Sequence, residues 1–424
     1  MVNLFPKVQD LYNLTDNFTE RKLITNDWLT VDQMISILML KVDNIVPNIE
    51  ELKKVIEKDN PVIKFWIDPT GLEIHLWHSI PINIARLIQS TGKRITLIIW
   101  DFTAKIWDPT GRNTERKILT DDDIKKNYEQ YKLQAAKFIN LDHTDVVHNT
   151  SILSGIWIEE LTRFFQKVSM GSLLQREDFK KRLEWWYWLS LAEVFYPLLM
   201  ALDSIKVNAD LEIWGKDQLL NFHITRELMN KLWLRPETFI TTPLLPWITW
   251  TWEKMSKSLN NYVWLLENST NVYGKIMSIP DSLLDLYIFN FVDIQQQEKE
   301  GFEELIGKNP YEFKKALAYY ITSIINWDEE AQKAADEFTR KFSKNTFNEE
   351  DFENIDTEKG SLVALLFQHK LFPSKSDARR MIESWAIKMR TASSEFKKIN
   401  DIDFIIDKEV YLKIGKKKFI KFTI

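Results

Sequence analysis

The chain has 424 residues and a net charge of −5, so we expect two or three domains and no general coating of nucleic acid. It has no cysteine, which excludes disulfides and thiolate metal sites, and its six histidines show no zinc spacing. The sequence shows neither a secretory signal pattern nor an apolar run of the roughly 18 residues that a membrane span needs, so we predict a cytoplasmic protein.

Two residue types depart from ordinary composition. Glycine occurs 11 times and tryptophan 17 times, and together they number 28. An average protein of this length has roughly 30 glycines. Several tryptophans also stand in turn-like contexts, such as 107–111 and 246–252, where a residue without a Cβ is favoured. We therefore hypothesise that many or all of the tryptophans are glycines in the natural protein, through a stop codon reassigned to glycine; the alternatives are a tryptophan-rich protein or a decayed gene copy.

The first part of the chain predicts a helical leader followed by an α/β domain. Residues 1–60 are charged and carry apolar residues at helical spacing. From 61 to 270 strands and helices alternate, and strands such as Arg94–Ile99 are continuously apolar. The predicted fold class is therefore α/β, with a doubly wound, Rossmann-like parallel sheet and a helical insertion. In such a sheet, ligands bind in the crevice at the carboxyl ends of the strands.

The last part of the chain predicts helices, a linker and a small α+β unit. Residues 271–345 contain three candidate helices, and the acidic segment 346–358 is typical of a linker. Residues 359–424 predict a unit that closes with a hairpin. Its basic residues favour contact with an RNA backbone, the alternative being a solvated basic tail. The candidate RNA-binding residues are Lys375, Arg379, Arg380, Lys416, Lys417 and Lys418.

A histidine pair follows the first predicted strand of the sheet. His75 and His78 (sequence HLWH) come after the strand Val62–Ile67 and are predicted to open a helix over Ile80–Ser90. The free N–H groups and the dipole of a helix N-terminus favour an anion such as phosphate. Taken alone, however, a histidine pair is more often a packing or surface feature.

A second charged stretch lies past the middle of the chain. The segment Lys254–Ser258 (KMSKS) places Lys254 and Lys257 in a short loop. Two such charges can close over a triphosphate and stabilise charge that develops in a transition state. Taken alone, a loop of this composition is usually just solvated.

Three candidate residues lie on one face of the helix predicted over Leu189–Asp203. Tyr196, Met200 and Asp203 fall along one face of that helix. The face could be an ordinary core stripe, but a carboxylate on an apolar face needs a partner. A strand over 209–213 follows, and a turn with a small residue and a carboxylate comes directly after it.

In their order and spacing, the two charged signatures resemble those of class I aminoacyl-tRNA synthetases. The stretches between them resemble bacterial tyrosyl-tRNA synthetase in particular, and the resemblance covers residues 60–424. The tail resembles a small RNA-binding module shared with a ribosomal small-subunit protein. The matching stretches are Ile67–Thr70, His75–His78, Asp101–Ile106, Asp108–Arg112, Tyr196–Leu198, Asp203–Ser204, Lys216–Gln218, Pro243–Pro246 and Lys254–Ser258.

This resemblance implies a homodimeric tyrosine–tRNA ligase, with 271–345 as an α-helical anticodon-side domain. L-tyrosine would attack the α-phosphate of ATP, which enters with Mg²⁺, and the tyrosyl-adenylate would then pass its tyrosyl group to tRNA(Tyr). We expect no protein-bound metal. One alternative is a catalytically inactive, synthetase-like RNA-binding paralogue. Another is a ligase for a different amino acid such as tryptophan, which Asp203 disfavours because an indole has no phenolic hydroxyl.

The resemblance also implies roles for individual residues. The catalytic residues, acting at the phosphates and the nucleotide, would be Thr70, His75, His78, Lys254 and Lys257. The other ATP-binding residues would be Asp68, Trp77, Gly215, Asp217, Met255 and Ser256. The tyrosine-binding residues would be Thr103, Asp108, Tyr196, Met200, Asp203 and Gln218.

The sequence departs from the family in two ways. Met200 stands where the family usually has glutamine, which removes one polar contact from the amino-acid pocket. Four family glycine positions carry tryptophan, namely Trp66, Trp77, Trp107 and Trp214. An indole at position 77 would fill the adenine site, so we expect the tryptophan-containing chain to bind ATP poorly.

Overall fold

The structure, a computed structural model, describes residues 29–69, 74–105, 119–174, 177–245, 262–343, 347–391, 395–415 and 418–424. The chain divides into two compact units, the first ending at Phe338 and the second running from Thr339 to Ile424. Each unit has a hydrophobic core of its own. Within the described residues, no helix combines the length and the apolar character that crossing a membrane requires.

A six-stranded sheet forms the centre of the first unit. Its strands are Asn44–Val46 (β1), Ile63–Ile67 (β2), Ile95–Ile99 (β3), Thr144–His148 (β4), Leu211–Gly215 (β5) and Thr238–Thr242 (β6). Their spatial order is β1-β6-β5-β2-β3-β4, and all neighbours are parallel except β1, which pairs antiparallel with β6. The predicted doubly wound α/β class is confirmed. Strand β1 lies within the segment that the sequence predicted as a helical leader.

Helices flank the sheet, as its burial requires. Every residue of β2, β5 and β6 is buried, and strands buried on both faces need cover on both sides. The helices of the first unit are Val31–Leu38 (α1), Ile49–Glu57 (α2), Ser79–Gln89 (α3), Asp121–Ala135 (α4), Asn149–Leu153 (α5), Ile158–Phe165 (α6), Met170–Leu173 (α7), Glu177–Glu184 (α8), Leu191–Val207 (α9), Leu219–Lys231 (α10), Ser269–Met277 (α11), Leu284–Phe291 (α12), Lys299–Lys308 (α13), Pro310–Asn326 (α14) and Asp328–Phe338 (α15).

The order of strands reverses between β2 and β5. From β2 the chain proceeds to β3 and β4 on one side, and from β5 it proceeds to β6 on the other. At such a switch point the loops that leave the strands diverge, and a crevice opens at the carboxyl ends. The residues that follow β2, β3 and β5 therefore meet at one edge of the sheet.

The second unit is a small α+β module. Its helices are Leu362–Gln368 (α16) and Lys375–Glu383 (α17), and its strands are Glu353–Asp356 (β7), Gly360–Ser361 (β8), Ile387–Arg390 (β9), Lys397–Lys398 (β10), Ile405–Ile406 (β11), Val410–Ile414 (β12) and Lys418–Thr423 (β13). The sheet order is β10-β9-β12-β13-β7, and β8 pairs with β11. Strand β7 lies within 346–358, the segment predicted as a linker, and pairs in parallel with β13. The domain boundaries at residues 270 and 345 stay predictions.

Three helices end in the same hydrogen-bonded motif around a tryptophan. After α10, the N–H of Trp233 donates to the Asn230 carbonyl at 3.0 Å, and the N–H of the next residue donates to the Met229 carbonyl at 2.9 Å. This Schellman arrangement places its central residue in the left-handed region, where glycine is usual. The corresponding residues after α8 and α17 are Trp186 and Trp385, and the φ values of all three lie between 55° and 60°.

Trp327 adopts a rarer backbone conformation between α14 and α15. Its φ is 74° and its ψ is 161°, a region that is essentially restricted to glycine. Of the six non-glycine residues with positive φ in the described part of the chain, four are tryptophan. Left-handed backbone is therefore concentrated in one residue type that is poorly suited to it.

Candidate active site

The predicted site residues of the first unit gather at the carboxyl ends of β2, β3 and β5. Asp68 follows β2, and Thr103 begins a short 3₁₀ turn after β3. Asp217 and Gln218 form the 3₁₀ turn that follows β5. Parallel strands present their carboxyl ends at the same edge of a sheet, so one crevice receives side chains from three separate loops.

The two histidines lie side by side just before α3. Their ring centroids are 3.8 Å apart. His75 is buried and forms an isolated antiparallel bridge with Trp264. His78 is the residue directly before Ser79, the first residue of α3. The helix therefore begins one residue after the histidine signature, and both rings lie at its N-terminus, where an anion is favoured.

Helix α9 carries Tyr196, Met200 and Asp203 into the interior of the first unit. All three side chains are fully or almost fully buried. The helix begins at a capping box, in which the Ser190 hydroxyl accepts from the Glu193 N–H at 3.1 Å and the Glu193 carboxylate accepts from the Ser190 N–H at 2.8 Å. This cap fixes where the helix starts.

Asn149 links the loop after β3 to helix α9. Its side-chain amide donates to Thr103 Oγ1 at 3.0 Å and lies 3.4 Å from Asp203 Oδ2. The sequence analysis did not single out Asn149. The available signal was its position: it comes directly after β4, at the same edge of the sheet as the other site residues.

The Asp203 carboxyl has a strongly raised pKa. Burial raises its pKa to about 7, although the charge of Lys64, the hydrogen bond from Asn149 and the nearby Trp100 indole oppose this rise. Asp203 Oδ1 has no partner in normal hydrogen-bond geometry among the described residues. A buried acceptor of this kind can receive a hydroxyl donor from a ligand.

Gly215 ends β5 at a point of close approach. A Cβ at this position would lie 2.7 Å from Asp217 Oδ1 and 2.9 Å from the indole of Trp77. Neither spacing leaves room for a methyl group without displacement of a neighbour. Only glycine therefore fits here while Asp217 and Trp77 keep their places.

Three stacked indoles lie at the carboxyl ends of β2, β3 and β5. The ring centroids of Trp66 and Trp100 are 3.7 Å apart, and those of Trp66 and Trp214 are 4.0 Å apart. All three side chains are buried, and the indole N–H of Trp66 has no hydrogen-bond acceptor among the described residues. Trp77 lies against Gly215, the residue after Trp214, and donates its indole N–H to the Pro243 carbonyl at 3.3 Å. We call these four residues the indole cluster.

Several predicted site residues cannot be assigned a place. Those outside the described residues are Thr70, Asp108, Lys254, Met255, Ser256 and Lys257 from the first unit, and Lys416 and Lys417 from the second. The remaining candidate RNA-binding residues are exposed: three lie on α17, and Lys418 begins β13. The structure thus brings together the described candidates for ATP and tyrosine binding, and the KMSKS loop stays a sequence prediction.

Comparison with known proteins identifies a family for most of the first unit. The family described as tRNA synthetases class I (W and Y) matches residues 57–343. That range includes the whole parallel part of the sheet, the histidine pair and the indole cluster.

Curated relatives match nearly the whole chain. Tyrosine–tRNA ligase 2 of Photorhabdus laumondii is 36% identical over 348 residues, which cover 81% of this chain and 87% of that protein. Tyrosine–tRNA ligase of Thermotoga maritima is 31% identical over 401 residues, which cover 93% of this chain and 98% of that protein. The similarity thus extends beyond the first unit into the second.

Solved structures show the same fold at lower identity. A C-terminally truncated mitochondrial tyrosyl-tRNA synthetase of Coccidioides posadasii superposes with a TM-score of 0.59 at 20% identity, covering 78% of this chain and 98% of that one. Tyrosyl-tRNA synthetase of Archaeoglobus fulgidus, crystallised with L-tyrosine, gives a TM-score of 0.58 at 19% identity, covering 72% of this chain and all of that one.

Proposed function

Because the chain belongs to the class I tRNA synthetases of the tryptophan and tyrosine type, we propose that it is a tyrosine–tRNA ligase. It activates L-tyrosine with ATP to tyrosyl-adenylate and pyrophosphate, and it transfers the tyrosyl group to tRNA(Tyr). Curated relatives of 31–36% identity over most of the chain carry that name. Within the family, Asp203 is the observation that favours tyrosine over tryptophan, because a buried carboxylate can accept a phenolic O–H.

The amino-acid pocket consists of Thr103, Asp108, Tyr196, Met200, Asp203 and Gln218. Asp203 accepts the phenolic hydroxyl, and the Asn149 amide, which contacts both Thr103 and Asp203, holds the two sides of the pocket in register. Phenylalanine would leave the buried carboxylate without its partner. The selectivity of this class of enzyme for tyrosine over phenylalanine is a known case of such discrimination.

The nucleotide lies across the histidine pair and the turn after β5. His75 and His78 contact the phosphates at the start of α3, together with Thr70, Lys254 and Lys257. Asp217 binds the ribose, and Gly215 lets the ribose approach the backbone; Asp68, Trp77, Met255 and Ser256 are the other positions along the nucleotide. ATP enters as its Mg²⁺ complex. Since the tyrosine carboxylate is already a nucleophile, these groups accelerate the reaction by positioning and electrostatics, without a general base.

The second unit binds the tRNA. Lys375, Arg379, Arg380 and Lys418 are exposed, and with Lys416 and Lys417 they contact the RNA backbone. The enzyme is a cytoplasmic homodimer. Sedimentation of the purified chain, with and without tRNA, measures both the dimer and its complex.

The indole cluster conflicts with this function, and we propose that glycine resolves the conflict. The cluster fills the crevice at the switch point, where a ligand of a doubly wound sheet binds. The left-handed tryptophans give independent support, because Trp186, Trp233, Trp327 and Trp385 lie outside the cluster and still occupy glycine-type backbone. One cause, a codon read as glycine in the source, accounts for both observations.

Pyrophosphate exchange tests the function and the glycine proposal together. ATP–pyrophosphate exchange is measured with each amino acid, on the tryptophan-containing chain and on a version with all seventeen tryptophans changed to glycine. We expect tyrosine-dependent exchange in the glycine version only. Exchange by the tryptophan-containing chain would show that the indole cluster leaves the site accessible. TGG codons at these positions in the source DNA would contradict the glycine proposal.

A second function is favoured by the indole cluster if the tryptophans are native. The chain would then be a non-catalytic RNA-binding paralogue that keeps the second unit and has lost its ATP site. Two folded proteins that bind tRNA(Tyr) but give no exchange with any amino acid would establish this alternative.

A further inference from the structure

Lys64 is a buried charge and the second residue of the central strand β2. It has no exposed surface, and its neighbours in the strand are apolar. A buried ammonium is costly unless it is paired and hydrogen-bonded. Its Nζ lies 2.9 Å from Glu212 Oε1 on the adjacent strand β5. The charge is therefore retained in a place where an apolar residue would satisfy packing alone.

The hydrogen bonds of Lys64 reach the helix that lines the proposed tyrosine pocket. Nζ donates to Ser204 Oγ at 2.7 Å and lies 3.4 Å from the Met200 carbonyl, both on α9. The Ser204 hydroxyl in turn donates to Glu212 Oε2 at 2.9 Å. Lys64 thus ties the sheet to α9 at Met200 and at Ser204, the residue that follows Asp203.

The charges around Asp203 come from several elements. Lys64 (β2) and Glu212 (β5) face it, Asn149 (α5) hydrogen-bonds to it, the Trp100 indole (after β3) lies near it, and Glu237, just before β6, interacts with Lys64 and Glu212. Burial and the nearby Glu212 carboxylate raise the pKa of Glu237 well above its usual range. Burial lowers the pKa of Lys64, but the surrounding carboxylates raise it by more, so Lys64 stays charged.

From this geometry we propose that Lys64 is a positioning residue for tyrosine recognition, which holds α9 in place and favours the ionised form of Asp203, the form that accepts the phenolic hydroxyl. The proposal rests on the function proposed above. A hydrogen bond to an ionised acceptor is roughly twice as strong as a neutral one. Lys64 opposes the effect of burial on Asp203, and without that charge the carboxyl would be protonated over more of the neutral pH range.

The test measures kcat/KM for tyrosine as a function of pH, in the form of the full chain that exchanges pyrophosphate. The double substitution Lys64→Met with Glu212→Gln removes the ammonium without leaving its carboxylate partner unpaired. We expect the pH at half-maximal kcat/KM to be higher in the double variant than in the parent, because Lys64 lowers the pKa of Asp203. At neutral pH the KM for tyrosine should rise about tenfold or more, with a smaller change in kcat.

The single substitution Glu212→Gln should shift the pH midpoint of kcat/KM in the opposite direction. It therefore tests the proposal even if the double variant does not fold. It removes a negative charge near Asp203 and leaves Lys64 in place, so the midpoint should fall. The matched control is Lys41→Met. Lys41 is also fully buried and pairs with a carboxylate, Asp293, at 3.3 Å, but it contacts none of the proposed pocket residues, so it should lower stability and leave the midpoint unchanged.

The possible outcomes separate this proposal from the proposed function. If the double variant loses kcat/KM equally at every pH and its midpoint does not move, Lys64 has only a structural role and the proposal is wrong. Unchanged kinetics would do the same. If the parent itself shows no tyrosine-dependent exchange while it is folded, the proposed function is what fails.

Discussion

Trp66 and Trp100 stack face to face at the carboxyl ends of two neighbouring strands, with ring centroids 3.7 Å apart and planes 7° apart. Strands β2 and β3 are parallel and in register here, since Trp66 pairs with Ile98 and Ile67 with Ile99. Two large residues at this edge must share the space that the diverging loops leave open. The stack therefore occupies volume that, with glycine at both positions, would belong to the crevice.

Replacement of Trp233 by glycine should stabilise the protein. Its φ of 60° is strained for a residue with a Cβ, and its side chain is 96% exposed, so little packing is lost. We expect the free energy of unfolding to rise by about 1–2 kcal/mol, as measured by urea denaturation. Trp188→Gly is the matched control, because Trp188 is 81% exposed and its φ is not positive; an equal gain there would remove the backbone as the cause.

Substitution of Gly215 by alanine should weaken ATP binding. The added Cβ would lie 2.7 Å from Asp217 Oδ1, so the Asp217 carboxylate, the proposed ribose ligand, must move away from its position. In the form that exchanges pyrophosphate, the KM for ATP should rise about tenfold or more, equivalent to roughly 1.4 kcal/mol. Gly274→Ala serves as the comparison, since a Cβ there meets nothing within 4 Å; similar kinetics for the two variants would argue against the close approach.

The stability of the first unit should depend on pH through Asp203. Burial raises the pKa of its carboxyl to about 7 in the folded chain, against about 3.9 when unfolded. The folded state therefore binds this proton more tightly, and the contribution to stability, complete below about pH 3.9, is lost as the pH rises through about 7. Between about pH 5 and pH 8 the parent should lose on the order of 2–4 kcal/mol relative to Asp203→Asn in urea unfolding.

Asp293→Asn provides the control for this pH experiment. Burial would raise the pKa of Asp293, but Arg86 and Lys41 lower it to about 2. Its contribution to stability is present above about pH 3.9 and is lost only as the pH falls through about 2. The difference between the parent and Asp293→Asn should therefore stay constant over the window in which Asp203 titrates.

Removal of charge from α17 should weaken tRNA binding without changing amino-acid activation. Lys375→Ala with Arg379→Ala eliminates two exposed cations of the second unit. We expect a higher KM for tRNA(Tyr) in aminoacylation, a salt dependence of binding shallower by about 1–2 ions, and unaltered pyrophosphate exchange. Lys53→Ala, an exposed lysine of the first unit that pairs with Asp32, should leave tRNA binding as it is.

Local patterns were enough to predict the class of the fold and part of the site. The apolar strands and the helices between them are repeated along the chain, and the histidine pair follows the first central strand at a fixed distance. The face of α9 was predicted from helical spacing, and all three of its predicted residues are buried. Each of these features depends on neighbours within about two turns of helix or one strand.

Local sequence patterns did not predict the features whose interaction partners come from distant segments of the chain. Strand β1 lies in the predicted leader, and its place at the edge of the sheet depends on β6, almost two hundred residues later. Nothing local distinguishes Asn149 from an ordinary helix-capping residue, since its link between Thr103 and Asp203 exists only when β3, β4 and α9 are assembled. Lys64 likewise interrupted an apolar run, and its partner Glu212 is on a strand that becomes adjacent only in the sheet.

The sequence by itself determined which residues are present and how they are spaced. It showed the two charged signatures, the alternation of strands and helices, and the low glycine count beside the high tryptophan count. The tertiary structure alone decided that four tryptophans occupy left-handed or glycine-restricted backbone, that Trp66, Trp100 and Trp214 stack on one another, and that Lys64 acts electrostatically on Asp203. The physical reason is that spacing along a chain fixes periodicity and local hydrogen bonds, whereas strand order and packing fix which distant groups share the same buried volume.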